Sequence, residues 1–493
     1  MISVPIQIRP RSDNMRQMKE IATVFETQGY SLNNSIIDTM KKFNIKSLCH
    51  GCGIRKAEGY SATEILTLLI MLPLMALKSV HQLYKSHYSA QAAMQKDTIY
   101  RLKNNEWYSW RRLLYAVAKT FKKKVESGAE SSPDDNTTAL ILDDTPDQRS
   151  GFKMENISYV HDHVQNKSVL GFKTLVLGFF DGKTFNPLDF TVHTEKKLEG
   201  KKAKKQYKKQ ADPKSPGGKR RKETKITKIK AAVQMVKRAV KNGFIADYVL
   251  CDAWFTCEEL IAAIRGIKGG VMHIIAGVKN GNQKYGYQGS LFNAKEIIAI
   301  LKQQGKARRN RGWGVYYYEA TTTYKSIGTV KLFMCRYPGQ KKWRVFITTN
   351  TKLSFVEMMK IYGIRWTIEV FFRETKQYLG LGKCQSQDFD AQIASVTITF
   401  ILYTLLAYLK RMGDYETLGE LFQMTQQDIC EKHLAQRLWA LFEELLAFIV
   451  DAISAYGPMD VTMLMQSEEY AYAKELFASS FLFEQMVSLN KSA

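Results

Sequence analysis

The succession of apolar patterns between Thr138 and Asp252 constrains the fold of this chain more than any other feature. TALILDD (138–144) and SVLGFKTLVLGFF (168–180) are apolar runs of strand length, rich in β-branched and aromatic residues. Asp181-Gly182-Lys183 is a turn signal and TFNPLDFTVH follows it, so this segment and the run before it read as a hairpin. ITKIKAAVQMVKRAVKNG (226–243) switches to helical period and stops at glycine, and DYVLCDAWF then supplies another short buried strand. Strand, hairpin, helix, strand, helix is the order of an α/β layer fold, in which functional groups gather at the carboxyl ends of the strands.

The flanks have other characters. Up to about residue 135 the text is helical, with SATEILTLLIMLPLMAL and YSWRRLLYAVAKTFKKKVES carrying apolar residues at helical spacing, and SGAESSPDDN (Ser127 to Asn136) is a linker. Between about Val278 and Asn350 the chain is β-rich and turn-rich, which predicts an inserted β-subdomain. After Thr351 the pattern is helical again, and LAQRLWALFEELLAFIVDAIS is an amphipathic helix suited to a bundle or a partner subunit. These patterns divide the chain into 1–135, a helical N-terminal region; 136–410, an α/β core with its insertion at about 278–350; and 411–493, a helical C-terminal region. Ala391 to Leu409 is apolar enough to test as a membrane span, but Gln392, Ser395, Thr397, Thr399 and Tyr403 make it a buried core helix, so no membrane is expected as partner.

Charge narrows the partner. Lysine and arginine outnumber aspartate and glutamate 72 to 47, a formal charge of +25 that favours nucleic acid through counterion release. Glu195 to Lys225 is so rich in lysine, arginine, glycine and proline that it reads as a mobile loop or an arm that contacts phosphate. Arg111, Arg112 and the Lys122–Lys124 run are the candidates for DNA-end recognition. The opening MISVPIQIRPRSDN lacks the apolar core of a signal peptide, and seven cysteines without regular spacing fit a reducing compartment. Cytoplasm is the expected location. Cys49-His50-Gly51-Cys52 offers at most three ligands and has no second pair downstream, so zinc is not expected.

The chemistry lies in the acids. ALILDD ends on Asp143 and Asp144, and YVLCD on Asp252. In IYGIRWTIEVFFRETKQYLG, Tyr362, Arg365, Glu369 and Lys376 fall within about 60° of one another on a helix turning about 100° per residue. Ile364, Ile368, Phe371 and Phe372 form the inward face. Three carboxylates suffice to hold two divalent ions about 3.5 to 4 Å apart, which stabilise in-line attack at a phosphorus already ringed by negative oxygens. Hard oxygen ligands suit magnesium or manganese. His161, His163 and His193 are alternative ligands or bases, which a two-metal mechanism does not require.

These residues resemble the insertion-sequence transposases of the DDE class that carry a Tyr-(2)-Arg-(3)-Glu-(6)-Lys motif, the insertion sequence four-like group. Tyr362, Arg365, Glu369 and Lys376 reproduce its spacing without a gap, and the likeness extends from about Thr138 to Leu409. The resemblance implies a ribonuclease H-like catalytic core. It also implies that Asp144, Asp252 and Glu369 are the catalytic, metal-holding acids, with Asp143 as the neighbour whose role stays open. Tyr362, Arg365 and Lys376 then position DNA, and Trp343 stands where related enzymes stack a flipped base. The implied activity is cleavage at terminal inverted repeats and transfer of the freed ends to target DNA by a synaptic homodimer, using two Mg2+ or Mn2+ ions per active site, in the cytoplasm and nucleoid of a bacterial cell.

Overall fold

The computed structural model describes residues 32–430 apart from 87, 90–93, 128–136, 163–164, 280 and 414, together with 442 and 466. The expected linker after Ser127, His163, the first residues of the chain and, apart from Phe442, the amphipathic segment near the C-terminus lie outside the described residues. Ile37–Phe422 forms one compact unit.

The N-terminal part is helical, as its periodicity predicts: α1 (Leu32–Lys42), α2 (Ile45–Gly51), α3 (Ala62–Leu74), α4 (Val80–Leu83), α5 (Lys96–Lys103) and α6 (Trp110–Ser127). Ser61 and Glu64 close a capping box that starts α3. Along α6, Trp110, Leu113, Leu114, Val117, Ala118, Phe121 and Val125 are buried at helical spacing.

The described strands form a single thirteen-stranded sheet. They are β1 (Ala139–Gln148), β2 (Ser158–Asp162), β3 (Lys167–Phe180), β4 (Phe185–His193), β5 (Lys196–Lys197), β6 (Tyr248–Cys251), β7 (His273–Val278), β8 (Lys284–Tyr287), β9 (Ser290–Asn293), β10 (Arg308–Asn310), β11 (Val315–Tyr324), β12 (Gly328–Arg336) and β13 (Arg344–Thr348). The hairpin of β3 and β4 turns where expected: Asp181 accepts from the Lys183 and Thr184 amides at 3.0 and 2.8 Å, and Gly182 takes φ 96°. One edge of β3 carries β2 and β4, and the other pairs antiparallel with β1. Beyond β1 come β6, parallel to β1, and β7, parallel to β6, and then β13, antiparallel to β7, followed by β12, β11, β8 and β9. The β-rich text between residues 278 and 350 therefore extends the edge of the same sheet, because β13 pairs with β7.

β1 does not end at its aspartates. It runs four residues further, because β3 is long enough to pair with it from Ala139 opposite Phe180 to Gln148 opposite Gly171. β6 does end as read, at Cys251, immediately before Asp252.

Two helical layers cover the centre. On one face Leu140, Leu142, Leu175 and Leu177 pack with Ala231, Met235 and Val236 of α9 (Lys228–Lys241) and with Leu260, Ile261 and Ile264 of α10 (Glu258–Arg265). Each fully buried leucine or isoleucine contributes about 1.5 to 3 kcal/mol. α7 (Gly200–Lys204), α8 (Pro216–Glu223) and α11 (Ala294–Gln303) complete the helices before the last group. The other face is covered by α12 (Phe355–Gly363), α13 (Trp366–Gln377) and α14 (Phe389–Met412). There Phe371 meets the rings of Phe185, Phe400 and Tyr403 at 5.1, 5.0 and 4.7 Å. α14 is long and apolar enough to cross a membrane, yet 83% of its apolar window is buried inside the protein. The side-chain amide of Gln392 there donates to the Ser386 and Cys384 carbonyls.

The lysine- and arginine-rich segment from Glu195 to Lys225 departs from expectation, because much of its charge is folded against the core. Arg221 forks onto both oxygens of Glu155 at 2.8 Å and reaches Asp390 at 2.8 Å, and Lys209 contacts Asp388 and Asp390 at 3.2 and 2.8 Å. Its partners lie far away in sequence, so composition alone did not reveal them. Lys201, Lys202, Lys204, Lys205 and Lys208 remain exposed.

Candidate active site

Strand alternation decides which acids meet. β1 and β6 are parallel with Leu142 beside Cys251, so Asp143 and Asp252 come next in register and share a face, while Asp144 shares the opposite face with Leu140 and Leu142. The helices α12 and α13 cover the Asp143 face. Arg365, just before α13, donates from Nη1 to Asp143 Oδ2 at 2.9 Å and from Nη2 to Glu369 Oε1. Its guanidinium thus joins an acid of β1 to the acid of α13. Asp252 accepts from the Trp254 amide at 2.9 Å.

The electrostatics of this face are those of a crowded anionic site. Burial pushes the Asp143 carboxyl up to about 7; Arg365 opposes the rise and the neighbouring Asp252 adds to it. Three part-buried acids, Asp143, Asp252 and Glu369, with the Arg365 guanidinium for compensation, favour an added cation. Among the described residues no three acid, histidine or cysteine groups converge closely enough to hold a metal as arranged. The donor chemistry nevertheless fits a hard divalent ion, since Asp143, Asp252 and Glu369 offer only carboxylate oxygens.

Asp144, the acid expected to lead the triad, sits on the α9 face. Lys173 approaches its Oδ1 at 3.2 Å and Lys228 its Oδ2 at 2.7 Å. Lys173 is only 1% exposed and also donates to the His161 carbonyl at 2.9 Å. Lys228 lies 4.0 Å above the Trp254 ring, which links the Asp144 cluster to the residues that follow Asp252. His193, on the same side, is buried with its Nε2 2.7 Å from the Thr191 hydroxyl, and burial followed by the Lys228 charge pushes it down to about 4.

The four-residue motif does not lie on one unbroken helix. The Ile364, Arg365 and Thr367 amides bond three residues back, to Ile361, Tyr362 and Ile364, a tight turn that separates α12 from α13. Its side chains still converge on the two central strands. The Tyr362 hydroxyl donates to the Cys251 carbonyl at 3.5 Å, and Lys376 donates to Thr145 Oγ1 and the Pro146 carbonyl at 2.5 and 2.8 Å. Ile368, Phe371 and Phe372 are buried as expected, while Ile364 is half-buried.

Trp343 precedes β13, whose start lies beside the end of β7, so it stands at the edge of the sheet from which Asp252 emerges. Its ring packs on Tyr318 at 5.1 Å and under the Arg336 guanidinium at 4.8 Å. Of the cations expected to recognise DNA ends, Arg111 is engaged internally by Asp189 and Glu223, and Lys122 lies over the Phe179 and Phe244 rings.

Sequence reasoning passed over Lys173, Lys228 and Trp254. The period-two alternation of LILDD was the available signal for separating the two aspartates, because Asp144 falls in step with Leu140 and Leu142.

A family model described as the transposase DDE domain matches residues 134–405, more than half of the chain, and the protein belongs to that family. It is a DDE transposase, an enzyme of metal-dependent phosphodiester hydrolysis and transesterification that acts on DNA. No curated protein matches the chain.

Proposed function

We propose that this transposase binds the terminal inverted repeats of its element as a synaptic homodimer, cuts there, and joins the freed ends to target DNA. Membership of the group with the Tyr-(2)-Arg-(3)-Glu-(6)-Lys motif and a ribonuclease H-like core belong to the same reading. The strand order β4-β3-β1-β6-β7 supports that core, with β3 antiparallel to β1, β6 and β7 parallel to it, and acids on the adjacent central strands.

The observation that carries the site assignment is the Arg365 guanidinium bridging Asp143 and Glu369, with Asp252 abreast of Asp143. Asp143, Asp252 and Glu369 are the acids that would hold two Mg2+ or Mn2+ ions. When bound, the ions would activate the attacking oxygen and neutralise charge on the phosphate. Asp144, paired with Lys173 and Lys228, fixes the α9 side of β1 and so orients Asp143. Tyr362, Arg365 and Lys376 hold β6 and β1 at the spacing the acids need, and Trp343 at the sheet edge is offered to an unstacked base. In the first displacement water attacks phosphorus and the bond to the 3′ oxygen breaks, leaving a 3′-hydroxyl. In the second that hydroxyl attacks a target phosphorus and displaces the target's own 3′ oxygen.

The test is incubation of the full chain with a supercoiled plasmid bearing the element's two ends, in magnesium or manganese, for wild type and Glu369→Gln. Release of the flanked segment with joined products, lost in the variant while end binding persists, is the expected result. Cutting without joining would make the enzyme a nuclease only, and end binding without cutting would overturn the catalytic assignment.

A further inference from the structure

A cavity of about 290 Å³ opens where α6, α8, α9 and α14 meet, walled by Trp110, Arg111, Arg112, Lys219, Arg220 and Arg238. None of the acids of β1, β6 or α13 lines it. Its one acidic wall residue, Asp390, is already engaged by Lys209 and Arg221.

Within the wall three guanidiniums share two carboxylates. Arg111 reaches Asp189 at 2.9 Å and Glu223 at 2.6 Å; Arg238 reaches Asp189 at 2.7 Å and Glu223 at 3.7 Å; Arg220 donates to the Phe190 carbonyl and lies 3.7 Å from Glu223. The cluster carries one positive charge more than its acids neutralise, before the exposed Arg112 and Lys219 are counted. Arg220 is 5% exposed and Trp110 3%. Arg220 Nη2, Arg238 Nη2 and the Trp110 indole N–H are buried donors with no acceptor. Each such donor costs about 1 to 3 kcal/mol. Burial, followed by the Arg111 charge, pushes Arg220 down to about 9, the direction expected of a cation short of anions.

We propose that this cavity is a binding site for a phosphate group, held by the Trp110 indole, Arg220 and Arg238 from within and by Arg112 and Lys219 at the mouth. Donors from three separate helices suit a tetrahedral acceptor with several oxygens better than a flat carboxylate. The group is a backbone phosphate of DNA or free phosphate, and either satisfies the same donors. The inference stands independently of which acids hold metal.

The experiment titrates the full chain with inorganic phosphate against chloride at constant ionic strength, following the thermal midpoint and tryptophan fluorescence. Wild type is compared with Trp110→Phe, which keeps an aromatic ring in the wall but loses the indole N–H, and with Arg112→Gln/Lys219→Gln, which changes only exposed side chains. Saturable stabilisation of wild type, with half-saturation shifted at least fivefold upward in both variants and the phosphate-free midpoint of Arg112→Gln/Lys219→Gln unchanged, is expected. Equal stabilisation in all three proteins would be general salt exclusion. That result, or no stabilisation of wild type, overturns the proposal. A second arm measures binding of a short duplex. Phosphate competition and weakened duplex binding by the variants, with a smaller salt slope, identify a DNA phosphate as the occupant; duplex affinity unchanged across the three proteins identifies free phosphate.

Discussion

Asp143→Asn and Asp144→Asn are adjacent, nearly isosteric changes with opposite expected consequences for stability. Asp144→Asn takes from both lysines the carboxylate charge each one contacts, leaving Lys173, 1% exposed, on the His161 carbonyl and Lys228 between Glu195 at 3.6 Å and the Trp254 ring. Removing one partner of a buried ion pair costs about 3 to 5 kcal/mol, and the partial exposure of Asp144 and Lys228 puts this case at about 3. Asp143→Asn removes a carboxylate whose burial is unfavourable. Raising that carboxyl from its ordinary 3.8 to about 7 means the folded state binds the proton more tightly. The resulting penalty is absent below pH 3.8, grows as pH rises, and is complete above about 7, where it approaches 4 kcal/mol. Loss of the Arg365 contact offsets part of the gain, so Asp143→Asn should equal or exceed wild type in stability at pH 8, with its advantage gone near pH 4. Urea unfolding in EDTA, without DNA, compares the midpoints of the three proteins at both pH values. A wild-type midpoint for Asp144→Asn, or a loss of more than about 2 kcal/mol for Asp143→Asn at pH 8, would refute the reasoning.

Three further outcomes follow from particular contacts. Gly178→Ala would place a methyl 2.1 Å from the Phe185 ring, so the unfolding free energy should fall by about 1 to 3 kcal/mol, read as a lower urea midpoint. His193, pushed down to about 4 from 6.5, contributes stability that is complete above pH 6.5 and lost as pH falls toward 4, about 3 kcal/mol in all. His193→Gln should flatten that acid limb of the stability profile, measured as midpoint against pH. Lys376→Met frees Thr145 and the Pro146 carbonyl of β1, so cleavage should slow while duplex affinity, measured by fluorescence anisotropy, stays within about twofold.

What the sequence made legible was local. The runs at Leu140 to Leu142 and Val249 to Cys251, the turn at Gly182 and the stop at Gly243 each announce themselves within a few residues. Pairing partners do not: β1 continues past Asp144 only because β3 is there to receive it, and the β-rich text joins the main sheet only through β13 against β7. The same limit explains the lysine-rich segment, whose Arg221 finds Glu155 and Asp390 at long range. Alternation put Asp143 and Asp144 on opposite faces, but it took the register with β6 and the seat of Arg365 to show which face meets Glu369.

The central claim is tested most directly by single-turnover cleavage of end-bearing DNA in manganese by Asp143→Asn, Asp144→Asn, Asp252→Asn and Glu369→Gln, each normalised to folded, DNA-bound protein. Asp143→Asn, Asp252→Asn and Glu369→Gln should each lose at least about a thousandfold in rate, and Asp144→Asn no more than about tenfold. Near wild-type cleavage by Asp143→Asn, with Asp144→Asn inert, would contradict the account and return the first metal-holding acid to Asp144.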